Sequence, residues 1–135
     1  KLSETGSCFE TTGKVTLNSR YTCYNTSTNE FQFSINIGDI NVSEVIVGVS
    51  ATGASKSFRL SYNGSTIPNV VNYPSRSVNI TLPGKNAGHT YLFNMSRAGL
   101  LGFPDSIKIA PLIGQNQCGI SDSIEEIDNC LSLIP

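Results

Sequence analysis

Apolar and polar residues alternate along most of the chain, from about residue 14 to residue 113. The clearest run is 31–37, in which phenylalanine or isoleucine occupies every odd position and glutamine, serine or asparagine every even one. A period of two places successive side chains on opposite faces of an extended strand. The run therefore predicts a half-buried β-strand with one apolar face.

The same alternation predicts short strands on both sides of this run. Residues 15–23 predict one strand, which the polar turn 25–29 joins to 31–37 as an opening hairpin. Asn63-Gly64 is typical of a type I′ hairpin turn. Further strands are predicted over 45–49, 58–62, 78–82, 91–95 and 107–109. About seven or eight short strands at this spacing indicate an all-β fold, an antiparallel β-sandwich of the immunoglobulin-like kind.

The period changes near the C-terminus, where apolar residues recur every three or four positions. Ser121 can cap a helix at its N-terminus, and acidic residues follow in the first turns, where they complement the helix dipole. These acidic residues are Asp122, Glu125 and Glu126. The apolar stripe consists of Ile120, Ile124, Ile127 and Leu131. The spacing predicts one short C-terminal helix that packs against the sandwich.

Length and charge narrow the class of protein. The chain has 135 residues, and we expect residues 1–135 to form a single domain with its own core. Charged residues make up only 14%, the net charge is -1, and the nine basic residues are scattered singly. This distribution excludes the basic surface that nucleic-acid binding requires. No apolar stretch reaches the roughly 18 residues of a membrane span, so we expect no membrane insertion by this chain.

The cysteines indicate the redox environment. Four occur without a C-x-x-C pair: Cys8, Cys23, Cys118 and Cys130. An even number without zinc-type spacing predicts two disulfides and an extracellular location, although four unpaired thiols in a cytosolic fold are a second interpretation. A single strand over 14–24 would span about 33 Å and keep Cys8 from Cys23. Of the pairings that remain, we predict Cys8–Cys130, which would tie the termini together, and Cys23–Cys118, which would tie the first hairpin to the last strand. A chain reversal at 11–13 would instead allow Cys8–Cys23.

The sequence offers few residues for catalysis or metal binding. His89 is the only histidine, so neither a His-based metal site nor a relay through two imidazoles can form within one chain. The glycines around Ser50 are one residue too far apart for the G-x-S-x-G elbow of a serine hydrolase. The acidic residues of the predicted helix, with Asp128, are interpreted as compensation of its dipole rather than as a calcium site. No catalytic residue, metal site or cofactor is therefore predicted.

Aromatic residues are the remaining candidates for ligand binding. Tryptophan is absent, so a platform for sugar stacking would have to use tyrosines: Tyr21, Tyr24, Tyr62, Tyr73 and Tyr91. Most of them fall within predicted strands, where a structural role explains them.

Five N-glycosylation sequons are spread along the chain. Their asparagines are Asn25, Asn41, Asn63, Asn79 and Asn94. Two fall in predicted turns, one in a loop, and two take the outward phase of predicted strands. Because a glycan needs surface exposure, all five could be modified without disturbing the core. We expect a glycosylated outer surface.

The order of these features resembles the soluble head of archaeal type IV pilins and archaellins. The resemblance covers most of the chain, and the segments that carry it are Cys8, 21–25, 31–38, 41–47, 105–113 and 117–126. Such proteins begin with a signal that is cleaved before a long apolar helix, which packs in the filament core while the β head faces outward. The resemblance implies a non-enzymatic cell-surface filament subunit that binds copies of itself through a helix upstream of Lys1.

Other functions are also consistent with the sequence. A carbohydrate-binding or adhesin-type module would present an exposed aromatic platform to surface glycans. A strand-donating filament or surface-layer subunit would use the apolar tail 131–135 to complete a neighbour's sheet. A hydrolase fragment would need a polar cleft, for which the dense run of predicted strands leaves little room.

Overall fold

A computed structural model describes residue 8, residue 11 and residues 13–133 of the chain. In chain order, its strands are β1 (Val15–Leu17), β2 (Cys23–Asn25), β3 (Glu30–Ile37), β4 (Glu44–Ala51), β5 (Ala54–Ser61), β6 (Val70–Asn72), β7 (Ala87–Asn94), β8 (Ser106–Ile113), β9 (Asn116–Gln117), β10 (Asp122–Ile124) and β11 (Asp128–Asn129). Among the described residues, helical geometry occurs at Cys8, in a 3₁₀ turn, Ser19–Tyr21, and in a short helix, α1 (Cys130–Leu133). Within this part of the chain, no helix has the length and apolar character needed to cross a membrane.

The strands form two sheets with a common core, as a β-sandwich does. The first sheet has the order β11-β2-β3-β7-β6, and β1 also pairs with β3. The second has the order β10-β8-β4-β5, and β9 also pairs with β8. All pairs are antiparallel except β11 with β2, which is parallel. The predicted all-β, two-sheet architecture is therefore confirmed.

The alternation of apolar residues correctly identified the inner faces of the central strands. The odd positions of 31–37 are buried, as are Val45, Val47 and Val49 of β4. In β7 and β8 the buried inward positions include Tyr91 and Ile109. An aromatic cluster lies between the sheets and consists of Phe31, Phe33, Phe58, Tyr91 and Phe93. Apolar burial on this scale is the main favourable term in folding.

The predicted first strand, 15–23, is interrupted. Its two ends, β1 and β2, pair with the same edge of β3, where Val15 lies opposite Ile37 and Cys23 opposite Gln32. Between them the Asn18 side chain accepts a hydrogen bond from the Arg20 N–H and starts the 3₁₀ turn. The 3₁₀ turn therefore divides the predicted strand into two short ones.

Two turn predictions also need correction. The two-residue hairpin joins β4 to β5 at Thr52-Gly53, where both residues have positive φ, 47° and 81°. Asn63-Gly64, which was predicted to form such a hairpin, leads instead to a single bridge between Ser65 and Ile80. The segment 78–82, predicted as a strand, contributes only this bridge. A two-residue hairpin turn with positive φ at both residues matches the twist of the flanking strands, and here Thr52 and Gly53 adopt that conformation.

The predicted C-terminal helix is not confirmed. Residues 122–124 form β10, in which Ile124 lies opposite Ile107, and helical geometry in this C-terminal segment begins only at Cys130, with α1. The Asp122 carboxylate accepts a hydrogen bond from the Leu17 N–H at 2.8 Å and so joins β10 to β1 of the other sheet. Pairing with β8 and this carboxylate contact outweigh the weak local helix signal.

The two disulfides are Cys8–Cys118 and Cys23–Cys130, with Cα–Cα distances of 5.2 and 4.8 Å. All four cysteines are therefore bonded, but the predicted pairs Cys8–Cys130 and Cys23–Cys118 were wrong. The length of the first strand argued only against Cys8–Cys23, which is not formed; the choice between the two remaining pairings rested on tying the termini together. In the structure Asp128 lies opposite Cys23, and the parallel pairing of β11 with β2 brings Cys130 beside Cys23.

Candidate functional site

The five sequon asparagines lie in two groups on the surface. Asn41, Asn63 and Asn79 are exposed. Asn41 and Asn63 line one depression of about 450 Å³, and the Asn79 side chain approaches Gly64, next to Asn63. These three therefore lie in one region of the surface.

The other two sequon asparagines, Asn25 and Asn94, are half-buried and lie on the first sheet. Both lie directly opposite Glu30 of β3, one on each side. Each accepts backbone hydrogen bonds through its side-chain oxygen, Asn25 from Ser27 and Asn94 from Arg97. The side-chain nitrogen, to which a glycan attaches, takes no part in these bonds.

The residues considered for catalysis are not brought together. Ser50 lies on β4 of the second sheet, and its Oγ is 2.8 Å from the Ser106 Oγ. His89 lies on β7 of the first sheet and bonds Asn72. Among the described residues, no group of three or more histidine, cysteine or acidic side chains is placed to hold a metal ion. Asp122, one of the carboxylates considered for calcium, accepts backbone N–H bonds from Leu17 and Ser123 instead.

A cleft of about 580 Å³ crosses the outer face of the first sheet. Gln32 of β3 and Leu92 of β7 lie opposite each other in the register and share this outer face. Tyr21, at the end of the 3₁₀ turn, and Tyr73, which directly follows β6, also line the cleft. Both tyrosines are exposed, whereas Leu92 is only 5% exposed. The outer face is thus a hollow with a buried apolar residue and exposed aromatic side chains around it. We refer to it as the tyrosine cleft.

Charged side chains complete the lining of the tyrosine cleft. The Arg76 guanidinium binds both oxygens of the Glu30 carboxylate, each at 2.8 Å. This bidentate contact lowers the pKa of the Glu30 carboxyl, although burial acts in the opposite direction. The paired charges line the same cleft as the two tyrosines. Arg20 lies at the same cleft.

A buried asparagine holds the segment that carries Tyr73 and Arg76. The Asn72 amide nitrogen donates to the Ser77 Oγ at 2.8 Å and to the Asn79 carbonyl at 2.9 Å. Its side-chain oxygen lies 2.8 Å from Nε2 of His89 and accepts a hydrogen bond from it, so Nε2 carries a proton. Burial lowers the pKa of His89. The hydrogen bonds of Asn72 to His89, Ser77 and Asn79 therefore hold in place the turn that carries Tyr73 and Arg76.

We expect His89 to make the folded state less stable as the pH falls. Because the pKa of His89 is lower in the folded protein than the ordinary 6.5, the unfolded chain binds the proton first, and stability is lost as the pH falls below 6.5 toward the lowered value. Urea unfolding at intervals from about pH 8 to about pH 5.5 measures this loss. The control, His89→Gln, removes the titrating group, so its free energy of unfolding should vary less over the same range. Equal slopes for both proteins, or stabilisation on acidification, would contradict the assignment.

Sequence reasoning missed the tyrosine cleft as a site, although Tyr21 and Tyr73 were among the candidate sugar-stacking residues. One signal was present in the sequence. Tyr91-Leu92-Phe93 breaks the alternation with an apolar residue at an outward position, and in the structure this residue, Leu92, is almost fully covered. Tyr24 and Tyr91 are buried, as a structural role requires, and Tyr62 is exposed at a different depression.

Comparisons with known proteins add no assignment. No protein-family model, curated protein or solved structure matches this chain.

Proposed function

We propose that this chain is the head domain of an extracellular cell-surface filament subunit, with an immunoglobulin-like sandwich that assembles with copies of itself and presents a glycosylated surface. It performs no catalysis in this role and needs no cofactor. The observation that supports the proposal best is the placement of the disulfides, which fasten Cys8 and Cys23 to Cys118 and Cys130. A head that hangs from an N-terminal helix needs this kind of attachment at the point where the chain enters the sandwich.

The sequons support the surface role. Three of the five are exposed in turns or extended segments, and the other two keep the glycan-accepting nitrogen out of their turn hydrogen bonds. Disulfides form and persist outside the cytosol, where N-glycans are also found. The outward positions of β3 carry the polar residues Gln32, Ser34 and Asn36, so this described strand offers little apolar surface for assembly.

Strand donation is a second candidate, and one feature of the second sheet favours it. Strand β5 is eight residues long, lies at the edge of that sheet, and is exposed over most of its length. A free edge of this length can accept a strand from another chain. Lys56 and Arg59 on β5 oppose such pairing, because charged side chains discourage edge-to-edge association.

Assembly of the full gene product tests the proposal. We expect the 135-residue chain to sediment as a monomer at micromolar concentration and the chain with its natively encoded upstream residues to form filaments with the sandwich outside. Peptide masses of native filaments should show glycan on at least two of the five sequon asparagines. The matched control lacks residues 131–135. Filaments that form from the 135-residue chain, and are lost in this truncated control, would replace the helix-driven assembly with strand donation.

A further inference from the structure

We propose that the tyrosine cleft binds a neutral sugar ring of an oligosaccharide, stacked on Tyr21 and Tyr73. This activity is separate from filament assembly, because it uses the outer face of the first sheet. The cleft volume of about 580 Å³ falls within the usual range of small-molecule sites and holds a short oligosaccharide segment.

The exposure of the side chains indicates a recessed site with aromatic walls. Outward residues of a flat sheet are normally solvated, yet Leu92 in the cleft is only 5% exposed. Tyr21 and Tyr73, in contrast, are 51% and 44% exposed. A tyrosine combines a large apolar ring with a polar hydroxyl, so it suits ligands that present both kinds of surface. A pyranose is such a ligand, because its C–H groups form apolar faces and its hydroxyls lie around the rim.

The polar groups of the cleft match the hydroxyl rim of a sugar. The Gln32 amide nitrogen donates to the Tyr21 carbonyl at 3.1 Å, which fixes the side chain and leaves its oxygen available as an acceptor. Glu30 and Arg76 hold each other in one plane and retain lone pairs and N–H groups for further bonds. Because these groups are already positioned, a ligand need not spend binding free energy on ordering them.

Charge favours a neutral ligand over an acidic one. The positive charge of Arg76 is balanced by the Glu30 carboxylate at 2.8 Å. Of the two arginines that line the cleft, only Arg20 has no carboxylate partner among the described residues. Recognition of phosphate or carboxylate usually takes a cluster of cations with free bidentate donors. Here the bidentate donors already bind a carboxylate of the protein itself.

Binding is tested by nuclear magnetic resonance titration of the unglycosylated 135-residue chain, because a glycan on Asn25 would border the cleft. The probes are cellotetraose, mannotetraose and chitotetraose, with tetragalacturonate as the acidic probe. We expect at least one neutral probe to shift amide signals of residues that line the cleft. Tyr21→Ala and Tyr73→Ala should each raise the Kd for that probe about 10-fold, which is about 1.4 kcal/mol of binding free energy. Tyr73→Phe should bind as the unmodified chain does, since it keeps the stacking ring.

Tyr62→Ala is the matched control, because Tyr62 is an exposed tyrosine that lines the other depression. Its affinity for the same probe should stay within about twofold of the unmodified chain, as expected for a site distant from the change. The proposal is overturned if no neutral probe shifts cleft residues at millimolar concentration, or if only tetragalacturonate binds. It is equally overturned if both tyrosine-to-alanine variants bind as tightly as the unmodified chain.

Discussion

Removal of the Cys23–Cys130 disulfide by Cys23→Ala/Cys130→Ala should lower the free energy of unfolding by about 4 kcal/mol, because the bond closes a loop of over 100 residues in the unfolded chain. The measurement is urea denaturation of the variant beside the unmodified protein. Loss of the disulfide should also destabilise β11 locally. This strand has only two residues, and the bonded Cys130 directly follows it. We therefore expect amides of β11 and α1 to exchange faster in the variant.

The matched control for this change is Cys8→Ala/Cys118→Ala. The sequence separations of the two bonds are 110 and 107, so loop closure alone predicts nearly equal losses. A difference between the two variants reports on the folded state rather than the unfolded chain. A loss below about 1 kcal/mol in both variants would show that these disulfides do not constrain the unfolded ensemble as described.

Phe33→Ala should have the other large effect, a loss of about 4 kcal/mol of stability. Phe33 is fully buried, and its ring lies 5.3 Å from that of Tyr91 and 6.0 Å from that of Phe58, which belongs to the second sheet. Truncation opens a cavity between the sheets that their paired backbones cannot close. The milder Phe33→Leu should lose clearly less, which keeps the test informative if the alanine variant fails to fold.

The control for the core is Val78→Ala, because Val78 was predicted to face inward but is 59% exposed. Its stability should stay within about 0.5 kcal/mol of the unmodified protein, as is usual for surface substitutions. If Phe33→Ala loses no more than Val78→Ala, the two sheets do not pack through the aromatic cluster.

Local patterns predicted the sandwich but not the connections that complete it. The odd positions of 31–37 are buried because alternation is a property of the strand itself, whatever its neighbours are. Ile124 is different, because its spacing from Ile120 and Ile127 fits a helix, while only its pairing with Ile107 makes it part of a strand. That partner is distant in sequence, so no local pattern contains the information.

The tyrosine cleft shows the same limit. Tyr21 and Tyr73 come from turns that follow different strands, and each looks alone like an ordinary surface or strand residue. They line one cleft because β2, β3, β7 and β6 are neighbours in that order. Strand order depends on tertiary pairing, which the alternation of side chains does not encode. The cysteine pairs were mispredicted for the same reason, because they depend on which strands are neighbours, such as β11 and β2.

The crossed disulfides have a mechanical consequence. If the chain is pulled at Cys8 and Cys130, tension passes along 118–130 through one bond and along 8–23 through the other. Strands β3 to β8 lie outside both paths. The shorter path runs 12 chain steps from Cys118 to Cys130, so the two pulled points can separate by at most about 40 Å, at roughly 3.5 Å per step, before covalent bonds resist further stretching. The sandwich can therefore transmit a pull between these points without unravelling its core.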